Sequence, residues 1–334
     1  MHDLVIRNAK IIDGSGNAGF VGDLAASTGV VTHVGEVDGR SRREIDADGQ
    51  LLLPGWVDIH THYDGQATWD PEMSPSSWHG VTTAVFGNCG VGFAPVKRGS
   101  EEFLLNLMEG VEDIPGSVLA EGIDFTWQSY PEYLDALESM PRVLDVGSQI
   151  PHGALRFFVM GERGADHQEV PTAAELLQFE KLIVEGFQAG ALGFSTSRTA
   201  KHKAADGRLT PSLSAAEPEL AAIANAMKLA DSGVLQVNSD FGPGEFEMLR
   251  EAALISGRPL SALIIQVDHA PDLWRETLAQ IGEANAQGIV ANGQVGCRPI
   301  GVLLGLDVTV NPFGNHPAYK KIEHLPLSER AALL

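Results

Sequence analysis

At 334 residues with a 44% hydrophobic fraction, the chain has the length of about two domains and ample material for a large core. Its net charge of −21, from 23 basic and 44 acidic side chains, argues against nucleic acid and anionic membranes as partners and serves solubility. Two cysteines make no disulfide framework, and no apolar run reaches the roughly 18 residues that span a bilayer.

The opening residues Met1-His-Asp-Leu-Val-Ile-Arg7 enter strand-like alternation without a basic flank or an apolar leader core, so a cytoplasmic protein is expected. In that reducing setting a special cysteine is a ligand or a nucleophile. Residues 1–54 read as short strands at 4–12, 29–35, 44–49 and 51–53, broken by turns such as Asp13-Gly14. Such strands cannot bury both faces alone, so 1–54 is expected to be the N-terminal part of a small β-sandwich that takes further strands from elsewhere.

From Pro54 the pattern becomes strand–helix alternation. Strands are expected at 56–61, 82–86, 143–150, 191–195, 234–237, 260–267 and 289–295. Between them, Thr172-Ala-Ala-Glu175 and Ser214-Ala-Ala-Glu217 are capping boxes, and the first opens a stripe of Leu176, Leu177, Ile183, Val184 and Phe187 that stops at Gly190. Helices at 245–256 and 272–287 end at Gly257 and Gly288. Repeated β-then-α with apolar strands means a parallel sheet covered by helices. A doubly wound nucleotide-binding sheet would need a glycine fingerprint after its first strand, and Gly87-Asn-Cys-Gly-Val-Gly92 follows the second. The expected α/β fold of 55–334 is therefore a TIM-type (β/α)8 barrel. Seven strands rather than eight are found, and the tail reads as a helix from Ser328 with no C-cap, so the barrel is expected to lack its last strand.

Leu51-Leu-Leu-Pro-Gly-Trp-Val-Asp-Ile-His-Thr-His62 places two imidazoles one residue apart at a strand end. Residues i and i+2 of a strand share a face, so His60 and His62 converge as zinc ligands do. Cys89, in a Gly-rich turn at the end of the next strand, lies within reach as a thiolate ligand. His269 ends the sixth strand in the same relative position and is preferred over Asp268, because adjacent residues face opposite ways. Asp240 after the fifth strand is a metal or substrate contact, His152 after the third strand either faces the barrel or caps its strand, and Arg198 either meets a substrate carboxylate or forms a surface ion pair. His79 reads as a helix C-terminal residue, and Cys297 and His202 as structural or solvated groups. A zinc ion here implies hydrolysis or addition at a polarised carbonyl, since zinc has no redox role.

Pro54-Gly-Trp-Val-Asp-Ile-His-Thr-His-Tyr-Asp64, Ser76-Ser-Trp-His-Gly-Val-Thr-Thr83 and Gly87-Asn-Cys-Gly-Val-Gly-Phe-Ala-Pro95 resemble the N-acyl-D-amino-acid deacylases (D-aminoacylases) of the amidohydrolase superfamily. His152-Gly-Ala-Leu-Arg156 and Gly190-Ala-Leu-Gly-Phe-Ser195 extend the likeness, which runs to about residue 315. The resemblance implies a zinc-dependent barrel joined to a small β-sandwich, hydrolysing linear amides of N-acylated D-amino acids. It implies that Cys89 ligates a tightly held zinc with two histidines of the fifth and sixth strands, and that His60 and His62 flank a second, weaker position. The sequence departs from it in two places. The fifth strand carries Gln236-Val-Asn-Ser-Asp240 with no histidine, and nothing matches the catalytic aspartate segment of the last barrel strand, so the catalytic base is unassigned. His269 is the nearest match to the sixth-strand histidine.

The expected ligands are thus His60, His62, Cys89 and His269, with His152, Arg198 and Asp240 toward a small-molecule substrate. Two alternatives stand beside deacylation: a truncated or degenerate barrel that binds metal or ligand with little turnover, and another hydrolase of the superfamily. Cyclic amidases, a case of the latter, use a bridging carboxylated lysine, and no lysine ends the fourth strand. Loss of a general base costs about 10²–10⁴ in rate, and an open barrel exposes edges that pair, so weak activity and self-association are expected.

Overall fold

The structure is a computed structural model that describes every residue except 268–269, 298–303, 307, 309–310 and 315. It divides into two compact units, Met1–Val57 with Gly80–Thr82, and Asp58–His79 with Thr83–Leu334. The first boundary falls three residues beyond the expected one at Pro54.

The first unit is a five-stranded sheet of β1 (His2–Ile11), β2 (Phe20–Ser27), β3 (Val30–Gly35), β4 (Ser41–Asp46) and β5 (Leu51–Leu52), in the order β3-β2-β1-β4 with β5 also on β1. β1–β2 and β2–β3 are antiparallel, whereas β4 and β5 run parallel to β1. Sequence reading missed β2, whose Gly22, Asp23, Ala25 and Ala26 have low strand propensity; pairing with β1 on one side and β3 on the other overrides it. Val5, Ala25 and Val37 form its small core, and Val30, Val31 and Val34 are more than half exposed on β3. Burial on one face only is what short alternating strands permit.

The second sheet has seven strands: β6 (Trp56–Asp58), β7 (Val81–Phe86), β8 (Asp145–Pro151), β9 (Gly193–Arg198), β10 (Val234–Ser239), β11 (Leu260–Leu263) and β12 (Ala291–Gln294). They lie in chain order, and every pairing from β7 to β12 is parallel. The connections carry α1 (Glu101–Glu112), α2 (Gly116–Gly122) and α3 (Tyr130–Ser139) before β8, then α4 (His152–Met160), α5 (Ala173–Ala189), α6 (Glu217–Ala230), α7 (Glu245–Ser256) and α8 (Leu273–Ala286). Two short helices, α9 (Pro317–Lys320) and α10 (Leu327–Leu333), follow. The seven strands expected from sequence are all present, curled as part of a TIM-type (β/α) barrel. No helix among the described residues is long and apolar enough to cross a membrane.

Local chemistry sets the element ends. Thr172 accepts from the Glu175 amide while Glu175 reaches back to the Thr172 amide, a complete capping box, and Gly190 closes α5 in the left-handed region. The second expected box is absent: α6 begins at Glu217 with Ala216 as its cap, and Ser214 Oγ instead meets His167 Nδ1 at 2.9 Å. The α5 stripe is also shifted, since Phe179, Ile183 and Phe187 are buried while Leu177 is 68% exposed. Spacings of four residues bring these three onto one face. All six residues of β9 are buried, so its polar side chains must find partners inside the protein.

Candidate metal centre

The chemistry-bearing residues collect where the parallel strands end, the face on which barrel enzymes gather their reactive groups. His60 and His62 follow β6, Cys89 follows β7, His202 follows β9, Asn238 sits near the end of β10 and Gln294 is the last residue of β12.

His60 is held from both sides. Its Nδ1 lies 2.9 Å from Gln294 Oε1, which can only accept, so the ring proton is on Nδ1 and Nε2 keeps its lone pair. That Nε2 lies 3.3 Å from Cys89 Sγ. The rings of His60 and His62 meet edge to face at 5.5 Å. His62 Nε2 reaches Glu112 Oε1 at 3.1 Å, while its Nδ1 is buried without a hydrogen-bond partner.

Cys89 occupies a strained turn with φ of +56° between Gly87 and Gly90, both also at positive φ. A Cβ at Gly87 would stand 2.2 Å from the Gln149 carbonyl oxygen, so only glycine fits. Four polar side chains fasten the turn. The Cys89 amide donates to Gln236 Oε1 at 3.0 Å, and the Gly90 amide donates to Ser195 Oγ at 2.9 Å while that hydroxyl donates to the Gly87 carbonyl. Asn88 donates to the Thr61 and Val85 carbonyls and accepts from Gln149 Nε2 at 2.6 Å.

Glu112 and His202 join this cluster, and sequence reading did not find them. His202, expected to be structural or solvated, has its Nδ1 3.0 Å from Ser197 Oγ and its Nε2 3.2 Å from Asn238 Nδ2. Asn238 Nδ2 in turn lies 3.7 Å from Cys89 Sγ. Two overlapping ligand sets result, His60–His62–Cys89 and Cys89–Glu112–His202, each with its ligand atoms within 4.8 Å of one another. One signal for Glu112 was available: an acidic residue in the last turn of a helix opposes the helix dipole, and α1 has no basic residue there to offset it.

Burial governs the ionisation of these groups. It lowers His60 despite the Gln294 bond, and it lowers His62 well below the ordinary imidazole range, helped by the charges of His60 and His202. It takes His202 down to about 4. It raises Asp64 to about 8, and, with the neighbouring Asp64 and Asp113 charges, Glu112 to about 8. Burial and the Glu112 charge push the Cys89 thiol well above its usual value.

The donor set fits a soft-to-borderline divalent metal. It combines one thiol, neutral imidazoles and a carboxyl group, and it leaves His62 Nδ1 and Asp64 Oδ2 as buried polar atoms with no protein partner. His269, the other expected ligand, lies outside the described residues. Cys297 is exposed.

The three expected substrate contacts all have protein partners. His152 is fully buried, with Nδ1 at 2.9 Å from Thr196 Oγ1 and Nε2 at 2.9 Å from Glu219 Oε1. Arg198 pairs with Glu245 and donates to the Ala215 carbonyl at 2.6 Å. Asp240 accepts from Thr199 Oγ1 at 2.7 Å and from the Ala200 amide at 2.9 Å, and it lines a small cleft with Lys201, Phe241 and Trp274.

A parallel (β/α) sheet with histidines and a cysteine converging at its strand ends defines a metal-dependent hydrolase type of barrel. The chain belongs to the amidohydrolase family, whose model matches residues 43–334. It is 35% identical to the N-acyl-D-aspartate deacylase of Alcaligenes xylosoxydans xylosoxydans over 195 residues, which make up 58% of this chain and 36% of that protein. The crystal structure of a D-aminoacylase superposes with a TM-score of 0.72 at 24% identity, covering 88% of this chain and 58% of that one. The N-acyl-D-glutamate deacylase of Bordetella bronchiseptica, complexed with zinc and a phosphonate inhibitor, superposes with a TM-score of 0.71 at 22% identity, over 89% of this chain and 59% of that one. The chain therefore spans well under two thirds of the length of each of these proteins.

Proposed function

We propose that this chain carries the metal centre of a hydrolase that cleaves the linear amide of an N-acyl-D-amino acid, with zinc as its metal and a small molecule as its partner. The observation that carries the reading is the convergence of His60, His62 and Cys89 within 4.8 Å at the ends of adjacent strands. Similarity to D-aminoacylase-type proteins, one of them complexed with zinc, supports the choice of substrate and metal.

Bound at these residues, zinc supplies Lewis acidity that polarises an amide carbonyl. The chain's own groups prepare the place for it. Gln294 fixes the His60 tautomer so that Nε2 offers a lone pair, the outer contact that orients a ligand imidazole. Gln236 and Ser195 clamp the backbone on either side of the Cys89 side chain, so the thiol is positioned before any metal arrives. Glu112 Oε1 stands 3.1 Å from His62 Nε2, which brings a carboxyl group to the same cluster. Burial of the cluster restricts water around the reacting bond and strengthens every charge interaction within it.

Metal content and turnover test the proposal together. The purified chain is expected to hold zinc, to lose it in Cys89→Ala and in the His60→Ala/His62→Ala pair, and to release free D-amino acid from N-acyl-D-amino acids only when loaded. Undiminished zinc in both variants would sink the site as drawn.

A further inference from the structure

We propose that His202 is itself a metal ligand, acting with Cys89 and Glu112, and that it serves where β10 offers none. The inference rests on the metal-hydrolase reading above and deepens it.

The inward side chain near the end of β10 is Asn238, whose Nδ2 lies 3.7 Å from Cys89 Sγ and 3.2 Å from His202 Nε2. An amide NH2 donates hydrogen bonds and has no lone pair to give a cation. His202 arrives at the same point from the loop after β9. It is half-buried although it stands between the exposed Lys201 and Lys203, and it shares a 4.8 Å circle with Cys89 Sγ and a Glu112 oxygen.

Its tautomer is fixed as a ligand requires. Asn238 donates to Nε2, so Nε2 carries the lone pair, and Nδ1 carries the proton that Ser197 Oγ accepts at 3.0 Å. Ser197 lies in the fully buried strand β9, and its backbone is fixed in turn: the Ser197 amide donates to Ser212 Oγ at 3.2 Å, and the Ser212 hydroxyl returns to the Ser197 carbonyl at 2.8 Å. An imidazole whose outer nitrogen is bonded to a rigid acceptor, with the lone pair of its inner nitrogen turned toward the other ligand atoms, is the arrangement of protein metal ligands. Asn238 then needs only to swing its amide aside for a cation to enter between Nε2, Sγ and the Glu112 carboxylate.

Cobalt(II) titrated into the chelator-stripped 334-residue chain reports its own ligands, because thiolate charge transfer marks Cys89 and the visible bands sense coordination number. Zinc competition gives the affinity. His202→Ala is expected to weaken binding by about 100-fold or more, beyond the 10–100-fold typical of losing an outer partner. The thiolate band should survive at saturation while the visible bands shift. Ser197→Ala should cost about tenfold, the lower end of that outer-partner range. Adding Asn238→His to His202→Ala should restore most of the affinity, because the new imidazole reaches the same point from β10. Should His202→Ala fail to fold, Ser197→Ala carries the test, and unchanged affinity in it overturns the proposal. Unaltered affinity and spectrum in a folded His202→Ala protein, with binding still abolished by Cys89→Ala, would refute the role of His202 and leave the hydrolase reading standing. Absence of any cobalt or zinc binding by the unmutated chain would overturn both.

Discussion

Gln294 and His60 are 234 positions apart and belong to opposite ends of the strand order β6 to β12, yet Gln294 Oε1 lies 2.9 Å from His60 Nδ1. In a flat sheet six strand spacings of about 4.8 Å would hold them roughly 29 Å apart. The contact therefore measures the curl of the sheet at its C-terminal face, and it makes the last strand a determinant of the first ligand. Gln294→Ala is expected to weaken metal binding by about 10–100-fold, the usual effect of losing an outer partner. Gln294→Glu, which keeps an acceptor on Nδ1, should retain most of the affinity. Competition titration of both variants checks this; equal behaviour of the two would show that the contact does not orient His60.

The turn that carries Cys89 makes a second prediction. Gly87 has φ of +73°, and a Cβ there would come within 2.2 Å of the Gln149 carbonyl oxygen. Gly87→Ala thus combines backbone strain of about 1–3 kcal/mol with a clash against main chain that cannot move freely. Because the same turn aims the thiol, stability and metal affinity should fall together. Urea unfolding of the stripped protein and a zinc titration measure the two, and a variant that loses stability alone would separate the turn from the site.

The strands of this fold were legible in the sequence because hydrophobic runs bounded by glycine are local signals. The histidine pair and Cys89 were legible because they stand at strand ends, where side-chain direction follows from a period of two. His202 and Glu112 were not, since a loop residue and a helix end are brought to Cys89 only by tertiary closure. The sequence around His202, Thr-Ala-Lys-His-Lys, reads as solvated, and only the structure turns that one side chain inward. β2 was missed for the opposite reason: its composition speaks against a strand, and its neighbours decide.

The two serine/threonine boxes separate real capping from a matching pattern. At α5 the Thr172 and Glu175 reciprocal bonds exist, so Thr172→Ala should cost about 1 kcal/mol. At α6 the helix starts at Glu217, after Ala216, and the exposed Ser214 bonds His167. Ser214→Ala should therefore stay within about 0.5 kcal/mol of the parent. Paired denaturation curves decide; comparable losses in the two would mean that Ser214 does cap α6.

Arg156, Glu219 and His152 form a buried ionic group. Arg156 Nη1 lies 2.6 Å from Glu219 Oε1, and Arg156 Nη2 donates to the Asp166 and Glu169 carbonyls. Removing one partner of such a group strands a buried charge, so Glu219→Ala should destabilise by about 3–5 kcal/mol. The pH dependence has a definite sign. Burial lowers the His152 pKa against the pull of Glu219, so the folded protein resists taking up a proton that the unfolded chain binds near pH 6.5. Burial also works against the Glu219 charge, but hydrogen bonds and charge from His152 and Arg156 outweigh it and hold its pKa below the ordinary carboxylate range. Both groups contribute stability that is present above their unfolded pKa values and lost on acidification, His152 first. The difference in unfolding free energy between the stripped parent and His152→Gln isolates the first loss, because the other titrating groups are common to both. That difference should move in favour of the variant as pH falls from 7.5 to 5.5, by at most about 1.4 kcal/mol per pH unit below pH 6.5. A constant difference across that range would show that His152 carries the same charge folded and unfolded.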